Sequence, residues 1–155
     1  MGDAIDMIKL VDGLPKRPRG RACIVLSHDY FAQKPWAAEL AKQTGVEHID
    51  LLDLFGADDD LASKVSSFSV KELFNLLQNM SSSPVLIVTG VEFIKATWSG
   101  NVNAIEQFAS QVETWGRSPA LLFVMQFDSE LAKRKFKRFR QFKFVVDQKE
   151  TLALT

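Results

Sequence analysis

Two hydrophobic patterns alternate along this chain. In one, apolar residues recur every three or four positions. In the other they run without a break. Ala4, Ile5, Met7, Ile8 and Val11 follow the helical spacing, so residues 3–11 read as a short amphipathic helix. Gly13-Leu14-Pro15 and Pro18-Arg19-Gly20 punctuate a loop, and Ala22 to Leu26 then form a short buried strand. Ser27 to Lys34 read as a loop. Pro35 suits the first turn of a helix that runs through Trp36, Ala37, Leu40 and Ala41 and ends at Gly45. Val46 to Leu52 alternate as a second strand, and Asp58-Asp59-Asp60 favour a helix start, where acidic groups meet the positive end of the peptide dipoles. Ser69 with Glu72 forms a capping box ahead of Leu73, Phe74, Leu76, Leu77 and Met80.

Ser81-Ser82-Ser83-Pro84 stops that helix, and Val85 to Val88 is a fully apolar strand ending at Thr89-Gly90. Beyond a loop at Trp98-Ser99-Gly100, residues 102–115 place Ile105, Phe108, Ala109 and Val112 on one helical face. Ala120 to Met125 is the longest apolar run. It is followed by a basic segment read as a short helix at Leu131–Phe139, and Phe142, Phe144 and Val146 alternate as a last strand. Strands that alternate with helices predict a three-layer α/β/α domain with a mostly parallel sheet of five strands. Residues 22–26, 85–89 and 120–125 should be its buried middle, with the second strand to one side.

Composition narrows the class. A chain of 155 residues, 46% hydrophobic and 25% charged, fits one domain with a real core. Residues 1–20 should hold the first helix and a basic loop, with the core over 21–147. No stretch is apolar enough to span a bilayer, and Met1-Gly2-Asp3-Ala4-Ile5-Asp6 is too acidic for a signal peptide. Cys23, the single cysteine, sits inside an apolar strand. A cytoplasmic protein with no membrane contact is the expectation.

Net charge is zero, yet the basic residues are clustered. Lys16, Arg17, Arg19 and Arg21 form one group. Lys133, Arg134, Lys135, Lys137, Arg138, Arg140 and Lys143 form another, so the two hold eleven of the nineteen lysines and arginines. Such asymmetry suggests contacts between copies or with an anionic partner.

Open α/β sheets bind ligands at the carboxyl ends of their strands, so the chemistry is sought there. A phosphate loop after the first strand needs glycines, a lysine, and a Ser or Thr for magnesium. Here Ser27 to Lys34 contains no glycine, and Pro35 stands where the hydroxyl belongs. Lys34 is in the lysine position. Thr89 replaces the acid expected at the end of the third strand, leaving Glu92 as a partial substitute and Gln126 as a polar residue ending the fourth. ATP with magnesium is therefore disfavoured as a cofactor. If a nucleotide binds at all, Lys34, Glu92 and Gln126 are the candidates. His28 and His48 lack ligand-spaced partners, so no metal site is expected. Ser27-His28-Asp29 lacks the glycine-flanked elbow of a hydrolase nucleophile.

Gln126 at a strand end, followed by Leu131-Ala132-Lys133-Arg134-Lys135-Phe136-Lys137-Arg138-Phe139, resembles the end of an AAA+ ATPase core in its clamp-loader form. The resemblance implies a P-loop NTPase fold and an arginine at or near Arg138 that reaches a neighbouring subunit, with Arg134 and Lys137 beside it. The helical lid of that family is missing. Small lidless subunits of bacterial phage-exclusion (BREX) systems are similar in this respect. The two resemblances imply settings in DNA replication or antiviral defence.

Three functions stay open. The leading one is a non-catalytic adaptor or assembly subunit of a nucleic-acid-associated complex, using its basic helix to contact another AAA+ ATPase or its own copies. The second is a weak ATP-binding or hydrolysing subunit. The third is a nucleic-acid-binding module using Lys16, Arg17, Arg19, Lys133 and Arg140, because basic residues interleaved with aromatics suit phosphates and bases.

Overall fold

The structure is a computed structural model and describes residues 4–98, 103–139 and 141–154. Its elements are α1 (Met7–Gly13), β1 (Ala22–Ser27), α2 (Tyr30–Thr44), β2 (Glu47–Asp50), α3 (Leu51–Ala57), α4 (Asp59–Lys64) and α5 (Val70–Leu77). There follow β3 (Val85–Thr89), α6 (Val91–Lys95), α7 (Ala104–Thr114), β4 (Ala120–Gln126), α8 (Ser129–Lys133) and β5 (Val145–Asp147). The expected positions at 3, 99, 100, 102 and 140 lie outside the described residues.

The five strands form one parallel sheet in the order β2-β3-β4-β1-β5. β1, β3 and β4 form its buried middle, and β2 lies at an edge, as their hydrophobic runs predict. Pairing is level at the carboxyl ends: Ser27 faces Gln126, Leu26 faces Asp147 and Asp50 faces Thr89. The residues that follow each strand therefore gather along one rim.

Alternation along the strands divides the core into two layers. Ile24, Leu26, Leu86, Val88, Leu121, Phe123 and Met125 pack under α3, α5, α6, α7 and α8. This layer is rich in rings: Phe108 stands 5.0 Å from Phe123, and Phe74 stands 5.5 Å from Trp115. Cys23, Val25, Ile87, Leu122 and Val124 face the opposite way and are covered by α1 and α2.

Local signals shape the helix ends. Ser69 and Glu72 make both halves of the capping box, and Gly45 closes α2 in the left-handed conformation at φ 71°. Asp58 caps α4 as the acidic run suggests. Several expected boundaries move. The first helix starts at Met7, where Asp6 accepts the Lys9 N–H, so Ala4 and Ile5 precede it, and β5 holds Val145–Asp147 without Phe142 and Phe144. Leu51 and Leu52 leave the second strand for α3, because Asp50 accepts the Asp53 N–H and starts a helix there. The loop expected over Ser27–Lys34 shrinks to two residues between β1 and α2, because Asp29 caps a helix that begins at Tyr30.

Candidate functional site

The first strand delivers Ser27 to the rim, where its hydroxyl donates to the Asp29 carbonyl at 3.1 Å and is buried. The Asp29 carboxylate then accepts the N–H groups of Phe31, at 3.0 Å, and Ala32, at 3.4 Å. These are first-turn donors that a bound phosphate would use at a helix start. With α2 starting at Tyr30, Lys34 falls in the second helical turn and Pro35 inside the helix. Its ring leaves the Phe31 carbonyl without the usual helical partner. Lys34 instead reaches outward to Asp53, Nζ to Oδ2 2.5 Å, and that hydrogen bond raises the pKa of its ammonium.

Glu92 and Gln126 do come together. The Gln126 backbone N–H donates to Glu92 Oε2, and Gln33 Nε2 donates to the same oxygen at 3.0 Å. The Gln126 side chain is exposed, and Glu92 Oε1 is buried without a hydrogen-bond partner. Gln33, only 3% exposed, is a member of this cluster that sequence reasoning missed. Its signal was present: it lies on the same helical face as Ala37 and Leu40, so a polar group there needs a buried partner.

Thr89 holds neighbouring strand ends together. Its hydroxyl donates to Asp50 Oδ1 at 2.8 Å, and His48 Nε2 lies 2.8 Å from the Thr89 hydroxyl oxygen. With the hydroxyl proton on Asp50, His48 is the donor, so neither group activates the other as a nucleophile. Burial holds the His48 imidazole below its ordinary pKa, against the pull of Asp50. Gly90, at φ 80°, packs so closely that a Cβ there would lie 2.9 Å from the Leu51 nitrogen.

A cavity of about 200 Å³ separates these groups, walled by Tyr30, Lys34, Asp50, Leu52, Asp53 and Gly90 among others. The helix-start donors, the lysine and the threonine hydroxyl are all held by carboxylates of the chain itself. The residues present therefore do not fit a magnesium triphosphate. Among the described residues, no three His, Cys, Asp or Glu side chains gather at metal-binding spacing.

Further along the rim, His28 is bonded to Asp147 rather than Asp29, at 3.0 Å, and stacks on Phe127 with centroids 5.0 Å apart. Burial raises the Asp147 pKa, but His28 and the Lys149 N–H outweigh it and the net shift is downward. Asp128 behaves similarly. Its burial is outweighed by Lys95, 2.5 Å away, and by the N–H groups it caps at the start of α8. Apolar side chains project from the same rim: Tyr30 is 45% exposed, Phe31 87%, Leu52 48% and Phe127 43%.

The basic helix expected over Leu131–Phe139 is not formed. α8 ends at Lys133, and Arg134, Lys137 and Arg138 lie in irregular chain. Lys133, Lys135 and Lys137 are exposed while Arg134 and Phe136 are half-buried, an alternation that extended chain produces and a helix does not. Arg134 pairs with Glu106, and its guanidinium stands 5.4 Å from the Phe136 ring centre. The Arg138 N–H donates to Glu113, which is buried, at 2.9 Å. Phe136, Phe139 and Phe142 pack against the aromatic layer of the core.

The two basic groups meet. Arg17 donates to the Lys143 carbonyl at 3.1 Å, and its guanidinium lies 4.7 Å from the Phe142 ring centre. Burial lowers the Arg17 pKa. Lys16 and Arg19 are exposed beside it, while Arg140 lies outside the described residues. Among the described residues no helix is long and apolar enough to cross a membrane. No family model matches the chain, and no curated protein resembles it in sequence.

Proposed function

We propose that this protein is a non-catalytic α/β adaptor that docks a protein partner on the rim formed by its strand ends. One observation carries the reading. The rim keeps its phosphate-facing donors on Asp29, yet presents Phe31 with 87% of its surface exposed, beside Tyr30 and Leu52. An exposed aromatic cluster at a ligand edge suits burial against another macromolecule. Asp50 and Asp53 border it, which favours a partner surface with basic residues around an apolar centre.

The partner is a second copy of this chain or an ATPase of the AAA+ kind that the sequence resembles. The arginine contact implied by that resemblance falls to Arg138, because Arg134 is already paired with Glu106. A cytoplasmic setting belongs to the same reading. On this view the protein neither binds nor hydrolyses ATP to a useful extent.

The test joins calorimetry with ATP and magnesium to sedimentation of the wild type and of Phe31→Asp, alone and with the candidate ATPase. The exposed position of Phe31 lets the variant fold normally. The expected result is no ATP turnover, and an association that Phe31→Asp abolishes. Steady hydrolysis lost in Lys34→Ala would overturn the reading, as would an association that Phe31→Asp leaves intact.

A further inference from the structure

A second surface runs along the β5 edge, apart from the Phe31 rim, and shares only Arg138 with the contact proposed above. Segments distant in sequence build it. Arg17 bonds the Lys143 carbonyl at 3.1 Å, and its guanidinium lies 4.7 Å from the ring centre of Phe142 and 5.7 Å from that of Phe144. Around this junction Lys16, Arg19, Lys135, Lys137, Arg138 and Lys143 are exposed, and among the described residues none of these cationic groups has a carboxylate within ion-pair distance. The nearby acids are already used: Glu106 holds Arg134, and Glu113 accepts the Arg138 N–H.

A cavity of about 460 Å³ opens at the same edge, within the size range of small-molecule sites. Phe136, Phe142 and Phe144 line it together with Arg134, Asp147 and Glu150. Arg134 Nε is buried and has no hydrogen-bond partner. The polarity is split between inside and outside. The lining combines rings and two carboxylates, while exposed cations sit at the neighbouring positions Lys135, Lys137 and Lys143 of the same segments.

We propose that this edge binds single-stranded nucleic acid without sequence preference, with phosphates on the exposed lysines and arginines and one base held in the cavity. Phosphates are attracted to the outer cations, while Asp147 and Glu150 keep an anionic group out of the cavity. A neutral base suits the interior. It has π-faces for the phenylalanine rings and amino hydrogens for the Glu150 carboxylate. An acidic peptide or an anionic lipid surface would satisfy the outer charges and leave the cavity unexplained. Duplex nucleic acid keeps its bases stacked and could not fill it.

The test is fluorescence anisotropy of the full chain with a labelled mixed-sequence DNA single strand of about 20 nucleotides, a multiple of the usual site size. Its duplex, an abasic strand of equal length and vesicles containing phosphatidylserine serve as comparisons. The expected result is preference for the single strand over the duplex, and loss of about tenfold or more with the abasic strand. Log affinity should fall linearly with log salt by about 0.7 for each phosphate neutralised. Lys135→Ala, Lys137→Ala and Arg138→Ala together should flatten that slope by about 2 while the circular dichroism spectrum stays unchanged. Equal affinity for the abasic strand, tighter binding to duplex, binding to vesicles alone, or no DNA binding at low salt would each overturn the proposal. Phe31→Asp should leave DNA binding intact, so failure here and failure of the rim reading can be told apart.

Discussion

Asp29 decides how the first strand hands over to its helix. By accepting two first-turn N–H groups it lets α2 start at Tyr30 and takes the donors that a phosphate would need. Asp29→Ala should therefore lower stability by about 1 kcal/mol, read as a fall in the urea midpoint at unchanged slope. No loss would mean that water caps the helix equally well. Cys23 offers a second check. Burial drives its thiol up to about 12, so a thiol reagent should modify it at neutral pH only as fast as the protein unfolds. Rapid modification of the folded protein would show that the layer under α1 and α2 opens readily. Contacts with partners close in the chain were legible in advance: the Ser69–Glu72 box and the Gly45 cap depend on neighbours within a few residues. The Gln33–Glu92 bond joins residues 59 positions apart, and no local pattern names that partner.

The segment after α8 shows how an element can be misjudged when composition is read in place of period. Lys133 to Phe139 has the charge of a solvated helix, but its inward residues fall at 134 and 136, which is the period of extended chain. The rings explain the choice, since Phe136 approaches Phe144 to 5.1 Å and can do so from a chain that runs along the sheet edge. What holds the segment is then Glu113, the phenylalanines and the Arg134–Glu106 pair, not its exposed cations. Lys135→Ala, Lys137→Ala and Arg138→Ala together should shift stability by no more than about 0.5 kcal/mol. Glu113→Ala removes a buried acceptor from the Arg138 N–H and should cost roughly 1–3 kcal/mol. Urea titrations of both variants compare the two directly. A larger loss in the triple variant would return the structural role to the basic side chains.

The buried middle and the place of β2 to one side were legible because they follow from continuous apolar runs, which tolerate errors of several residues at each end. The rim was harder to read, since its chemistry depends on which carboxylates the level pairing of Ser27 with Gln126 and of Asp50 with Thr89 brings side by side. That crowding of acids should make the fold sensitive to acid in two stages. His48 has a folded pKa below its ordinary value of about 6.5, so the unfolded chain binds a proton that the native state resists. Stability is therefore full above that value and declines as pH falls through it. Asp128 and Asp147 are depressed below the usual carboxylate range, so their contribution is present above about pH 4 and is lost as pH falls toward their folded values. Urea midpoints measured from pH 8 to pH 3 should show a shallow first decline and a steeper second one. His48→Asn should remove the first decline, and Lys95→Met should weaken the second by taking away the ammonium that holds Asp128 ionised. Stability that rose between pH 7 and pH 5, or a first decline that survived His48→Asn, would show that the His48–Thr89–Asp50 contact is not what links the two strand ends.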